Sequence, residues 1–379
     1  MSSDNPFRFG ALALDEAFTD RTDELAELTG DVLNGQDVVL FAPRRFGKTS
    51  LVWRATQELT RRRVLVAQVD LMTTPTKEKL AEKLAQAIHD DITSPIFRAR
   101  ERLRVFQGLR VTPTVTVDPD DGSPRFSFDT GRRRQDIDAT IERLLELPAQ
   151  LAAERGRKVA LVLDEFQEVI DIDRRLPRLM RAVFQTQPEV AHVYLGSRRH
   201  MVERIFSDEQ EPFWRSAKRM ELGPIAPEAF APFIEARFAA TGRRIAPEAV
   251  AAILSTTRGQ PYATQEACYF LWQETPPRGT ATLERLAAAL ERLLRSEHAH
   301  FSLIWQQATG PQRQVLQALA VEPGPLYGAD YRRRHGLPAA SSVQRAAGAL
   351  EGRELVARGA GGHEICEPFL ADWIRREEL

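Results

Sequence analysis

Cysteine is scarce in this chain of 379 residues, with Cys268 and Cys366 as the only two. They stand far apart and match no metal-ligand spacing, which argues against a disulfide framework or a thiolate metal site and fits a reducing compartment. Long apolar runs are also missing. The longest are strand-length, so no segment is expected to span a membrane. Residues 1–5 are polar and lack the apolar centre of a signal peptide, so the expected location is cytoplasmic, with no membrane partner. Net charge is nearly absent, at -1, which removes a chain-wide basic field for nucleic acid and leaves room only for a local patch. What is present is an ordinary globular composition, 43% hydrophobic and 28% charged. At ~100–200 residues per domain, the length suggests two or three domains.

Apolar patterning along the chain alternates strand and helix. The run at 37–42 is short, continuous and β-branched, as a buried parallel strand should be. Pro43 breaks it, and a helical pattern opens at Thr49 and Ser50. A second strand is expected at 64–70. A helix follows at about 76–91, with Leu80, Leu84, Ala87 and Ile88 on one face. Residues 93–135 interrupt this rhythm with two short strands, at 111–117 and 125–128, read as an inserted β-hairpin turning through 118–122. A long helix at 137–155 is ended by Gly156. Further strands at 159–163 and 192–195 complete the expected parallel α/β sheet. Beyond 224 only helical periodicity continues to about 300.

The chemistry concentrates at the end of the first strand. Ala42, Pro43, Arg44, Arg45, Phe46, Gly47, Lys48, Thr49 and Ser50 match the phosphate-loop pattern G-x-x-x-x-G-K-[ST], with alanine in place of the first glycine. Gly47 lets the backbone approach a phosphate, and successive amides with the following helix N-terminus bind anionic oxygens. Lys48 can reach the β- and γ-phosphates, and the Thr49 hydroxyl can ligate Mg²⁺. The strand at 159–163 then delivers Asp164 and Glu165 at its carboxyl end, where ligands sit in open α/β sheets. Asp164 suits the Mg²⁺ shell, and Glu165 suits an attacking water. Ser197 and Arg198 follow the next strand, where they can sense or position a terminal phosphate. ATP with Mg²⁺ is the expected ligand pair.

These residues resemble the archaeal-type ATPases, also found in bacteria, within the STAND branch of AAA+-like P-loop ATPases. The resemblance runs from Asn5, Pro6, Phe7, Phe9 and Gly10 through Phe18, Thr19, Asp20, Arg21, Asp23 and Glu24. It continues in Pro43, Arg44, Arg45, Gly47, Lys48 and Thr49, then in Leu163, Asp164, Glu165, Phe166 and Gln167, and ends in Gly259, Gln260 and Pro261. It implies that Arg21 lies near the adenine pocket and that Pro261, in a helical lid, approaches the nucleotide. Arg198, Arg199 and Arg215 are candidate arginine fingers, which would neutralise γ-phosphate charge in cis or from a neighbouring subunit.

The last ~75 residues read helix, helix, helix, two strands, helix, a winged helix. Ser341 and Ser342 supply capping chemistry for its third helix, and 359–362 form the tip of the wing. Arg332, Arg333, Arg334, Gln344, Arg345 and Arg353 can face phosphate, while Glu351, Glu354, Glu364 and Glu367 dilute that field. The expected domains are therefore 1–223, a P-loop ATPase with its insertion at 93–135; 224–300, an all-helical lid; and 301–379, the winged helix. Three functions remain open at this point. The first is an ATP-driven switch acting on an unidentified protein partner. The second is a duplex-DNA-binding ATPase resembling origin-recognition proteins, and the third is a nucleotide-stabilised scaffold that does not turn over.

Overall fold

The computed structural model describes residues 4–10, 20–92, 106, 109, 113–118, 124–128, 134–197, 199–359 and 361–379. The chain forms two compact units. One, the sheet unit, comprises Thr22–Ala42 and Leu51–Leu222; the other, the helical unit, comprises Met1–Arg21, Pro43–Ser50 and Gly223–Leu379.

The sheet unit is built on five parallel strands. In chain order these are β1 (Val38–Phe41), β2 (Leu65–Asp70), β5 (Val159–Asp164), β6 (Val190–Gly196) and β7 (Lys218–Glu221). Their spatial order is β2-β5-β6-β1-β7. Every residue of β1, β5 and β6 is buried, which explains their unbroken apolar runs. β7 was not expected from the sequence. Three of its four residues are charged and only Met220 is buried, as suits an edge strand that must not recruit another chain. Its Lys218 ammonium is held by Glu27 at 2.9 Å and Asp31 at 2.7 Å.

Between β2 and β5 the expected hairpin is present as β3 (Thr114–Val117) paired antiparallel with β4 (Pro124–Ser127). The turn residues 119–123 lie outside the described residues. Phe126 and Phe128 are buried in the same core as Leu80, Leu84 and Ile88, so the hairpin packs against the unit's own core. The helix Arg134–Arg155 ends at Gly156, whose φ of +58° is the left-handed conformation expected there.

The helical unit carries the helices Pro227–Ala240, Pro247–Thr257, Pro261–Glu274 and Leu283–Gln307. It is helical to Gln307 apart from a two-residue pairing of β8 (Arg244–Ile245) with β9 (Thr280–Ala281), too short for any sequence pattern to show. Gly259 has φ +70°, and a Cβ there would stand 2.2 Å from the Ile225 carbonyl oxygen. The Gly-x-Pro motif thus has a local structural reason: only glycine allows Ile225 N–H to donate to Gly259 O at 2.9 Å. The winged helix follows as Gly310–Val321, Ala329–Arg334, Ala340–Gly352, β10 (Val356–Gly359), β11 (Gly362–Ile365) and Pro368–Glu377. One expectation is corrected here. The third helix starts at Ala340 with Ala339 as its N-cap and no side-chain cap, so Ser341 and Ser342 sit inside the first turn. Among the described residues no helix is long and apolar enough to cross a membrane.

Candidate functional site

The parallel sheet brings its functional residues to one edge. β1 and β6 run in register, with Phe41 beside Gly196, and β5 runs beside β6 with Leu163 opposite Tyr194. Ala42, Asp164, Glu165 and Ser197 therefore share the carboxyl edge of the sheet unit. Ala42 is buried and is not among the residues with positive φ, so alanine in place of glycine brings no backbone strain. Asp164 Oδ1 accepts from Glu165 N–H at 2.9 Å. Glu165 has φ +52° and ψ +48°, a left-handed conformation that a non-glycine residue holds at a cost of about 1–2 kcal/mol. Its Oε2 accepts from Ser197 Oγ at 2.8 Å, from Ser197 N–H at 3.3 Å and from Gln167 Nε2. Arg198 lies outside the described residues.

The phosphate loop belongs to the helical unit by its packing. Arg45 and Gly47 have φ of +69° and +83°. Left-handed residues are one component of the anion-binding nests that turn successive amides toward one point. The following helix begins at Lys48, so its N-terminal amides adjoin the same loop. Lys48 and Ser50 are buried. Arg21, 4% exposed, donates from Nη2 to Gly223 O at 2.6 Å and to Phe46 O at 3.4 Å, bracing the loop from behind. The Thr49 hydroxyl and the Asp164 carboxylate are hard oxygen donors of the kind Mg²⁺ takes. Among the described residues no group of three His, Cys, Asp or Glu could hold a metal alone.

Two further residues of the loop have partners that sequence reasoning missed. Arg44 Nε stands 3.4 Å from Glu354 Oε2, and Arg45 Nη1 pairs with Glu367 Oε2. The Arg45 guanidinium also lies 4.2 Å from the centre of the Tyr262 ring. Glu354 and Glu367 each retain one buried oxygen without a hydrogen bond. Beside them, Arg258 pairs with Glu364 and donates to Ile365 O at 2.8 Å, and Gln260 Nε2 donates to Cys366 O at 3.2 Å. Burial, then Glu364 and Glu354, push the Cys366 thiol up to about 12. Glutamates that the sequence offered only as diluting charge are the loop's own counter-ions.

Pro261 opens the helix Pro261–Glu274. The N-terminal segment packs on this helix. Asn5 Nδ2 donates to Tyr269 O at 3.0 Å, and Phe9 meets the Tyr262 and Tyr269 rings edge-on. Phe18 and Thr19 lie outside the described residues. Of the finger candidates, Arg215 has its guanidinium 5.3 Å from the Trp214 ring, and Arg199 starts the helix Arg199–Ser207. In the winged helix, Arg333 pairs with Asp330, Arg334 with Glu322 and Arg353 with Gln307, so much of the expected phosphate-facing charge is engaged internally.

Glu266 was not singled out by the sequence. It is 2% exposed, and burial, then the charge of Glu297, raises its carboxyl from 4.5 to about 8. Between those values the folded chain keeps a proton that the unfolded chain has released, so stability falls as pH rises through this window. At pH 7 the penalty reaches roughly 3 kcal/mol. Glu266→Gln removes it. Urea unfolding should show the variant gaining about 2 kcal/mol on the wild type between pH 5.5 and pH 7.5. Parallel pH profiles for the two proteins would contradict the assignment.

Comparison with known proteins bears on the fold. Residues 299–376 match a family model described as "Probable winged helix domain". No curated protein sequence matches the chain. Among solved structures, a Walker-type ATPase of Pyrococcus abyssi superposes with a TM-score of 0.68 at 14% identity, covering 98% of this chain and 99% of that one. The ORC2 protein of Aeropyrum pernix, in its ADP form, gives a TM-score of 0.50 at 13% identity, covering 96% and 97%. At these identities the likeness establishes the fold: a P-loop ATPase sheet, a helical region and a C-terminal winged helix.

Proposed function

We propose that the chain is an ATP-binding and ATP-hydrolysing switch of the STAND type, whose nucleotide state repositions the lid and winged helix for contact with a protein partner. Three parts would act together, the ATPase at 1–223, the lid at 224–300 and the winged helix at 301–379. In this reading residues 42–50 cradle the triphosphate, with Lys48 on its terminal oxygens and Arg21 and Pro261 toward the adenine side. Thr49 and Asp164 hold Mg²⁺, which offsets phosphate charge when bound. Glu165 would orient the attacking water, and Arg198 would neutralise charge on the terminal phosphate.

The observation that carries the switch is the pairing of Arg44 and Arg45 with Glu354 and Glu367. A guanidinium binds carboxylate and phosphate through the same planar N–H groups. Phosphate entering the loop therefore competes with the winged-helix glutamates for the two arginines. By linkage, loss of the glutamates must tighten nucleotide binding. Titration of a fluorescent ATP analogue into Glu354→Gln/Glu367→Gln should give an affinity roughly tenfold higher than wild type. Equal affinities would remove the competition.

A duplex-DNA partner has weaker support. The winged-helix fold favours it, whereas the internally paired arginines leave a diluted basic face. Filter binding across salt concentrations separates the readings, and retention of duplex DNA with a steep salt dependence would favour the DNA-binding ATPase.

A further inference from the structure

We propose that nucleotide binding drives a proton onto Glu266, with Arg45 as the link between the two, an inference that rests on the switch reading above. Four groups of the helical unit form one cluster around this carboxyl. Tyr262 and Glu266 stand one turn apart on the helix Pro261–Glu274, so their side chains share a face. The Arg45 guanidinium lies 4.2 Å from the centre of the Tyr262 ring and pairs with Glu367. Glu266 is buried, and its Oε1 has no hydrogen-bond partner. Glu297 comes from the helix Leu283–Gln307, which packs along the first.

The influences on this carboxyl oppose one another. Burial, then the charge of Glu297, favours its neutral form, whereas Arg45 favours the ionised form. Among the described residues, Glu297 and Arg45 are the charges that act on it. The one cation that supports the carboxylate is thus a residue of the phosphate loop. A guanidinium drawn to phosphate leaves Tyr262 and Glu266 behind. The carboxyl then holds its proton more tightly and takes one from water. Tyr262 does not share this role. Burial, then the charge of Glu266, raises its hydroxyl above the ordinary value of 10, so it stays protonated throughout. Binding that takes up a proton weakens as pH rises through the range where Glu266 ionises in the nucleotide-free chain, about 8. Once ionised, Glu266 joins Glu367 as a carboxylate that competes with phosphate for Arg45.

Calorimetric titration of ATP with Mg²⁺ at pH 8 tests this, with Glu165→Gln as the parent protein to prevent turnover. The titration is repeated in two buffers of widely different ionisation enthalpy, and the buffer-dependent part of the heat counts protons. About 0.3 proton should be taken up per nucleotide bound, and affinity should fall about two- to threefold between pH 7 and pH 9. Adding Glu266→Gln, which relieves a buried charge and should fold at least as well as the parent, should abolish the uptake and flatten that profile. Adding Arg45→Gln should also abolish uptake at saturating ATP, because no cation is left to withdraw. If that variant binds too weakly to saturate, the Glu266→Gln comparison decides alone. ATP binding without proton uptake in the parent, or uptake unchanged by Glu266→Gln or by Arg45→Gln, would overturn the inference and leave the nucleotide site standing. A parent protein that binds no ATP would overturn both.

Discussion

Replacing Glu165 by glutamine should lower ATP turnover by about 10²–10³-fold while nucleotide affinity stays within about twofold. Glutamine preserves volume and can accept a hydrogen bond through its oxygen, so the tie to Ser197 N–H and Oγ can persist. What it cannot do is take a proton or hold full negative charge toward a water. The defect therefore belongs to kcat, and the variant should accumulate as an ATP-bound form. Phosphate release in single-turnover conditions, set beside equilibrium binding, reads the two quantities separately. Equal, background-level release from wild type and variant would leave the nucleotide-stabilised scaffold as the better description.

Lys48→Ala should weaken ATP binding by about 100-fold or more, corresponding to about 2.7 kcal/mol. Lys48 is buried at the start of the helix Lys48–Arg61, an end where the helix dipole favours negative charge. Removing it leaves the backbone nest and the helix N-terminus, which bind phosphate but supply no full charge to the terminal oxygens. ADP, lacking the γ-phosphate, should lose less affinity than ATP. Isothermal titration with both nucleotides measures this difference. ATP affinity that survives the substitution unchanged would show that the loop at 42–50 is not the binding site.

The parts legible in the sequence were those whose signal is local. β1, β2, β5 and β6 announce themselves because buried parallel strands need continuous apolar runs. The phosphate loop is visible because glycine, lysine and threonine at fixed spacing have one shared purpose. β7 was hidden because an edge strand carries Lys218, Arg219 and Glu221 on its exposed positions. Ser341 and Ser342 misled because capping depends on where a helix starts, and a serine inside the first turn is past the capping position. The pairing of Arg45 with Glu367 spans 322 positions, and nothing in a single sequence marks two such residues as partners.

Alkylation of Cys366 tests the central claim most directly, since nucleotide is held to release the winged helix from the phosphate loop. Cys268, the other thiol, is fully buried, so Cys366 is a natural reporter. In the closed arrangement its thiol is suppressed by burial and by Glu364 and Glu354, and thiolate is the reactive form. In Glu165→Gln, saturating ATP with Mg²⁺ should speed Cys366 labelling at least about tenfold over the nucleotide-free protein. Labelling equally slow with and without ATP, in a protein shown to bind it, would contradict the switch.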